Sequence, residues 1–178
     1  WPDLIVPVFG LVLGLALPLA KAATPETLQR GLPGSFAELL DFGSIARLKP
    51  WTTHQAAGYD RGGGFIDSGN FLRTEPGPRH VLLEATGPGC IDRMWFTYKG
   101  ELGQEPYDLL IYLDDPDKPA IQMNLDDLFR RGRAPFVEPL TGLCGNPKFP
   151  GRFSFVPMGY AHSAKVVLWP TAPTERYQ

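Results

Sequence analysis

The residues best suited to chemistry lie in one glycine-rich stretch, from Trp51 to Asp67, which reads W-T-T-H-Q-A-A-G-Y-D-R-G-G-G-F-I-D. It holds two acids, Asp60 and Asp67, and the basic Arg61 around a run of glycines. Carboxylate and guanidinium groups can bind hydroxyl groups, and glycines let a ligand approach the backbone closely. The stretch is therefore a candidate loop for binding a polyhydroxylated ligand such as a sugar.

Aromatic side chains in the same stretch add a property that sugar sites use. Trp51, Tyr59 and Phe65 could each supply a flat apolar surface for a sugar ring. The opposing interpretation is structural, since an Asp–Arg pair could simply close a turn. The bare residues do not separate the two interpretations. The pattern is not that of a phosphate loop, because no lysine follows the glycines and no helical pattern begins there.

Other acidic clusters are better explained by turns than by catalysis. A glycosidase needs two carboxylates about 5–9 Å apart, so clusters of aspartates attract attention. Asp114, Asp115 and Asp117 fit a hairpin turn, and Asp126 and Asp127 fit the start of the short turn L-D-D-L-F. The histidines are too scattered to suggest a metal site or a triad. We therefore expect no metal ion and no cofactor.

The overall composition excludes several classes of function. The chain has 178 residues and a net charge of -2, which suits one domain without a basic field for nucleic acid or an anionic membrane. Its 20 glycines and 19 prolines favour tight turns between short strands. Cys90 and Cys144 make no metal site. We expect buried thiols, although an exported protein could pair them.

The N-terminal stretch predicts export. Leu4 to Ala20 carries no charge, and Ala20-Lys21-Ala22 offers small residues where a signal peptidase cleaves. We interpret residues 1–22 as a signal peptide truncated at its front, and the mature protein as secreted or periplasmic. The alternative is a permanent anchor, but the apolar run is short for a membrane span and is interrupted by Pro7 and Pro18.

Short helices are predicted within residues 23–43. Thr24-Pro25-Glu26 is a helix start, and Ser35-Phe36-Ala37-Glu38 is a capping box that opens a helix through Leu40. Residues 44–178 then form the main part of the chain, which is irregular and glycine-rich up to Asn70.

Beyond Asn70, apolar residues alternate along the chain, which predicts short strands. The predicted apolar faces are Val81, Leu83 and Ala85; Met94, Phe96 and Tyr98; Tyr107, Leu109, Ile111 and Leu113; Ile121, Met123 and Leu125; Phe153 and Phe155; and Ala164, Val166 and Leu168. The predicted core contains Leu83, Phe96, Ile111, Met123, Phe155 and Val166. The pattern is typical of an all-β antiparallel β-sandwich or jelly roll. Because a jelly roll normally has about eight strands, we expect the chain to be an incomplete fragment.

Several segments, taken in order, resemble one family. They include S-I-A-R-L (44–48), Y-D-R-G-G-G-F-I-D (59–67), V-L-L-E-A-T-G-P-G-C-I-D-R-M-W-F-T (81–97), L-L-I-Y-L-D-D-P-D-K-P-A-I (109–121) and F-V-P-M-G-Y-A-H-S-A-K-V (155–166). In this order they resemble the N-terminal half of the domain-of-unknown-function 2961 family, also called glycoside hydrolase family 172. The resemblance extends from Ser44 to Leu168.

The resemblance implies a jelly-roll glycoside hydrolase that cleaves α-D-fructofuranosyl or α-D-arabinofuranosyl linkages of an oligosaccharide or furanoside with retention of configuration. It implies two catalytic glutamates, which by the family pattern lie beyond residue 178, so this chain alone is expected to be inactive. It also implies a homo-oligomer, a trimer or a multiple of one, with active sites at subunit contacts. No nucleic acid partner is expected, and no membrane after signal cleavage.

The glycine-rich loop shares in this resemblance. The family loop reads close to S-S-Y-D-R-x-G-G-N-x-D, in which Ala57 and Gly58 replace the serines here and Phe65 replaces the asparagine. The expected substrate-binding residues are Trp51, Asp60, Arg61, Gly63, Gly64 and Asp67. The alternative function is a non-catalytic jelly-roll module that binds glycans or only assembles into oligomers.

Overall fold

The computed structural model of the chain describes residues 5–6, 36–65, 69–98, 106–130, 133–146 and 149–170. Its strands are β1 (Ile5–Val6), β2 (Arg73–Glu75), β3 (Arg79–Thr86), β4 (Gly89–Ile91), β5 (Met94–Tyr98), β6 (Tyr107–Leu113), β7 (Ile121–Asn124), β8 (Thr141–Asn146), β9 (Phe149–Ser154), β10 (Met158–Tyr160) and β11 (Ser163–Pro170). The described helices are α1 (Phe36–Leu39) and α2 (Leu125–Arg130), with a 3-10 helix at Phe42–Ser44. Within these ranges, no helix has the length and apolar character needed to cross a membrane.

The strands form antiparallel sheets, which confirms the predicted all-β sandwich. A five-stranded sheet has the order β2-β3-β11-β6-β7, and a four-stranded sheet has the order β1-β5-β9-β8. A two-stranded sheet joins β10 to β4. Across the five-stranded sheet, Val166 on β11 lies opposite both Leu83 on β3 and Ile111 on β6. This register sets three of the predicted core residues in one row on one face of the sheet.

The core lies between this row and the residues of β5 and α2. Phe96 on β5 is buried and its ring lies 5.5 Å from that of Phe129 on α2, centroid to centroid. Leu125 and Leu128 of α2 are buried in the same cluster. Each buried side chain of this size contributes about 1.5–3 kcal/mol through the loss of apolar surface to water. Leu83, Phe96, Ile111 and Val166 are buried as predicted, Met123 is only partly buried against the cluster, and the prediction is wrong at Phe155.

The predicted register of the fifth strand is wrong by one residue. Phe155 is 39% exposed, whereas Arg152 and Ser154 of β9 are buried. The polar pair faces inward because each side chain finds a partner there: Arg152 bonds to Asp126, and the Ser154 hydroxyl bonds to that of Thr141 at 3.1 Å. Apolar alternation alone pointed to the other face of the strand.

Some local predictions are confirmed and others corrected. The helix predicted through Leu40 is present as α1, whereas the helix start at Thr24 and the predicted signal peptide, apart from the two residues of β1, lie outside the described residues. Leu125 begins α2 instead of ending a strand. Cys90 is buried as expected, but Cys144 is exposed, and neither is in a disulfide.

Candidate functional site

An open cleft of about 460 Å³ lies between the glycine-rich loop and β3. It is lined by His54, Gln55, Ala56, Ala57, Tyr59 and Arg61 from the loop and by Leu72, Leu83, Glu84, Ala85 and Thr86 from the strand side. The cleft opens here because β2 is short and pairs with β3 only over Arg79 to Val81. The later part of β3 therefore has the loop as its neighbour on this side.

Asp60 holds the tip of the loop in a tight turn through two hydrogen bonds. Its Oδ1 accepts a hydrogen bond from the backbone N–H of Gly62 at 2.8 Å, and its carbonyl accepts one from Gly63 at 3.1 Å. Gly63 has a φ of 83°, a conformation that side chains disfavour. A Cβ at Gly64 would overlap the Asp60 carboxylate. The sequence pattern D-R-G-G-G thus encodes a tight turn packed around one carboxylate.

Arg61 ties this turn to the two ends of the loop. Its Nη1 donates to the carbonyl of Asn70 at 3.2 Å, and its Nη2 donates to that of Ala57 at 3.3 Å. The guanidinium also lies over the ring of Tyr59, 4.8 Å from the centroid. The Asn70 amide donates in turn to the carbonyl of Gly58 at 3.2 Å. Arg61 therefore shapes the loop while it also forms part of the cleft wall.

The structure brings only some of the expected substrate residues to the cleft. Arg61 lines it, whereas Asp60, Gly63 and Gly64 form the turn beside it. Trp51 is half-buried near the start of the loop, where the Lys49 ammonium lies 5.1 Å from its ring centroid. Asp67 lies outside the described residues. Of the aromatic candidates, Tyr59 reaches the cleft and Phe65 is fully exposed to solvent.

The opposite wall of the cleft supplies an acid that sequence reasoning missed. Glu84 on β3 accepts hydrogen bonds from both terminal nitrogens of Arg73, the longer at 2.9 Å. These bonds lower the pKa of Glu84, so its carboxylate stays charged. Glu84 occupies a polar position of an alternating strand, which indicates exposure but gives no sign that a distant loop lies opposite.

The acidic clusters that suggested catalysis have structural roles. The Asp114 carboxylate accepts backbone hydrogen bonds from Ala161, His162 and Ser163, which lower its pKa. The Asp115 carboxylate accepts from the backbone of Asp117 and Lys118, so the predicted turn is confirmed.

Asp126 belongs to a buried ion pair that the sequence did not reveal. It lies in the first turn of α2, not in the predicted turn, and accepts a hydrogen bond from Arg152 Nε at 2.9 Å. Arg152 is completely buried and its Nη1 donates to the carbonyl of Pro150 at 3.1 Å. Arg130 approaches the other oxygen of Asp126 at 3.5 Å. The carboxylate is thereby committed to joining α2 to β9 and is closed to a substrate.

Within the described ranges, no group of three or more histidine, cysteine, aspartate or glutamate residues could hold a metal ion. The polar groups of the cleft instead include the guanidinium of Arg61, the imidazole of His54, the phenol of Tyr59 and the charged carboxylate of Glu84. The rest of its lining is largely apolar. Such a surface can bind and orient hydroxyl groups.

The cleft and the strands around it lie within a stretch of the chain that matches a known family. Residues 49–177 match the family model described as the GH172 first beta-sandwich domain. The match includes the cleft loop and every strand from β2 to β11. A search of curated proteins gave no match. A search of solved structures likewise gave none.

Proposed function

Because the chain belongs to glycoside hydrolase family 172, through that family's first β-sandwich domain, we propose that it is part of an exported retaining furanosidase. The proposed substrates carry α-D-fructofuranosyl or α-D-arabinofuranosyl linkages. The observation that carries the proposal is the open cleft beside the D-R-G-G-G turn. Its volume of about 460 Å³ lies within the range of small-molecule sites.

In this proposal the chain supplies the substrate-binding part of the site. Arg61 and the exposed ring of Tyr59 offer a donor and a stacking surface to a sugar ring. Asp60, Gly63 and Gly64 hold the loop in shape, and Trp51 and Asp67 add further contacts to the substrate. Arg61 remains available for a ligand at its exposed face because the bonds that it makes to the loop leave its planar group at the cleft wall.

The proposal assigns the two catalytic glutamates to a part of the protein outside these 178 residues. A retaining glycosidase needs one carboxylic acid with a raised pKa as the proton donor. Glu84 is the acidic residue of the described cleft wall, and Arg73 lowers its pKa instead. This carboxylate is therefore unsuited to donate a proton at neutral pH.

The same proposal covers location and assembly. Residues 1–22 direct the protein to the periplasm or the medium, and the mature protein forms a homo-oligomer, a trimer or a multiple of one. The second candidate function, a non-catalytic jelly-roll module that binds glycans or only assembles into oligomers, is favoured by the structural engagement of Asp60, whose carboxylate is bonded within the loop.

Assay of the full-length protein with aryl α-D-arabinofuranosides and α-D-fructofuranosides tests the proposal. We expect turnover well above that of a heat-inactivated control, with a first-formed sugar of retained anomeric configuration in proton NMR. If the protein binds furanosides in calorimetry but does not hydrolyse them, the binding-module function replaces the hydrolase. An inverted product would contradict the proposed mechanism.

A further inference from the structure

The segment before the glycine-rich loop carries an unusual number of exposed apolar side chains. They are Phe36, Leu39, Leu40, Phe42, Ile45 and Leu48, here called the apolar segment. Ile45 is 75% exposed and Leu48 is fully exposed. Monomeric proteins rarely expose a large apolar surface without a function, because each such side chain favours removal from water.

The described backbone hydrogen bonds of this segment run within the segment. Leu40 donates to Ala37, Phe42 donates to Leu40, and Ile45 donates to Phe42. None of its apolar side chains lines the cleft described above. The apolar segment is therefore a surface separate from the cleft, with backbone hydrogen bonds of its own.

The size of the surface fits a specific protein contact. A large apolar residue exposes about 200 Å² when fully accessible, so the exposed fractions amount to roughly 800 Å² per copy. A standard interface buries about 800 Å² on each partner. One contact between two such surfaces would thus cover the apolar segment.

The charges of the segment favour another copy of this chain over a lipid surface. Its acidic residues, Glu38 and Asp41, are balanced by Arg47 and by Lys49, which directly follows the segment. A helix that binds anionic lipid is rich in basic residues on its polar face, and this segment lacks that excess. Two copies meet there without net repulsion, and their contact removes the apolar side chains of the segment from water.

We propose that the apolar segment, Phe36 to Leu48, is the surface through which copies of this chain assemble. The inference extends the oligomer part of the proposed function and does not depend on the hydrolase part. Sedimentation reports mass and not turnover, so either part can fail without the other.

Analytical ultracentrifugation of the full-length protein over a wide concentration range tests the proposal. We expect the wild-type protein to associate reversibly and Ile45→Asp to raise the dissociation constant by about 100-fold. Val137→Asp is the matched control, because Val137 is also β-branched and exposed but lies in the segment before β8. The control should change the dissociation constant less than about threefold. Thermal melting of both variants measured at low concentration should match that of the wild-type monomer.

Any one of four other results would contradict the proposal. A wild-type protein that stays monomeric at every concentration has no such interface. An oligomer that Ile45→Asp leaves intact uses another surface. A variant that melts earlier as a monomer shows that the segment is covered within one chain, and co-sedimentation of the wild type with anionic vesicles shows that lipid covers it.

Discussion

The carboxylate of Asp60 fills the space that a side chain at residue 64 would need. Gly64→Ala should push this carboxylate away from the backbone N–H of Gly62, to which it is bonded at 2.8 Å. Because the displaced group is the end of a side chain, the expected cost is that of one hydrogen bond, about 1 kcal/mol in the free energy of unfolding. Urea denaturation measures this change.

Gly159→Ala provides the control for that substitution. A Cβ at Gly159 would meet nothing within 4 Å, so the variant should stay within about 0.5 kcal/mol of the wild type. Equal losses in both variants would mean that packing around Asp60 does not explain the glycines of the loop.

Asp67 distinguishes the substrate-binding interpretation of the loop from the structural one. If Asp67 holds a substrate hydroxyl, Asp67→Asn in the full-length protein should weaken transition-state binding by about 1–3 kcal/mol with little change in Tm. The kcat/KM on a furanoside and the Tm measure the two effects. Asp117→Asn, in the exposed turn after β6, is the matched control and should leave kcat/KM unchanged. A variant that melts much earlier but keeps kcat/KM would make the loop a scaffold.

At the scale of the elements, a buried ion pair joins α2 to β9. Arg152→Met removes the guanidinium beside Asp126 and leaves the buried carboxylate with only the longer, partly exposed contact to Arg130. We expect a loss of about 3–5 kcal/mol in the free energy of unfolding, because a poorly compensated buried charge is costly. Guanidinium chloride denaturation measures this loss.

Arg130→Met is the matched control for the ion pair. Arg130 approaches the same carboxylate at 3.5 Å, but its side chain is 30% exposed. The expected loss is below about 1 kcal/mol, because solvent screens the interaction. If the two variants lost the same free energy, burial would not decide the strength of this pair.

The elements also show which parts of the fold the sequence could predict. Alternation identified β3, β5, β6 and β11, but it did not show that β3, β6 and β11 bury consecutive residues. The predicted face of β3 is corrected at Val81, which packs in a second cluster with Val167 and not with Leu83, because the pairing of β3 with β11 shifts register there. Alternation misplaced β9, whose inward positions hold Arg152 and Ser154, since their partners lie on α2 and β8. Short strands such as β4 and β10 contain glycine and too few apolar residues for a pattern to emerge. A local sequence pattern does not show which distant segments pair with each other.

The candidate site was predicted in part for the same reason. The residue types of the glycine-rich loop made it a candidate for ligand binding, and the structure places it beside a cleft. Its other wall, with Leu72 and Glu84, depends on how far β2 extends along β3. That length is a property of strand pairing and not of the loop.

At the scale of the whole molecule, several carboxyl groups make stability depend on pH. Lys165 and Arg73 lower the pKa of Glu75, and Arg73 lowers that of Glu84. Backbone N–H groups lower the pKa of Asp114 in the same sense. A lowered pKa in the folded state means that the unfolded chain binds protons more readily. The stabilisation is therefore present above about pH 4 and is lost as pH falls through the folded-state values.

Burial also lowers the pKa of His80, which should add an earlier step to the acid side of the profile. The contribution of His80 to the free energy of unfolding begins to fall below about pH 6.5, the ordinary pKa of histidine. We expect Tm to decline gently from there and steeply below about pH 4, as measured by differential scanning calorimetry. Glu84→Gln should flatten the steep part. A Tm that rises on acidification would contradict the assignment of these shifts.

The two cysteines differ in exposure, so their reaction rates can report how often the folded molecule opens. Cys144 lies exposed on the edge strand β8, whereas Cys90 is buried on β4. A thiol reagent attacks only a sulfur that it can reach. One equivalent of reagent should therefore react at once, and the second only as often as the sandwich opens around Cys90. The slow rate divided by that of the same thiol in urea is the equilibrium constant for opening, and its logarithm gives the free energy of opening under native conditions.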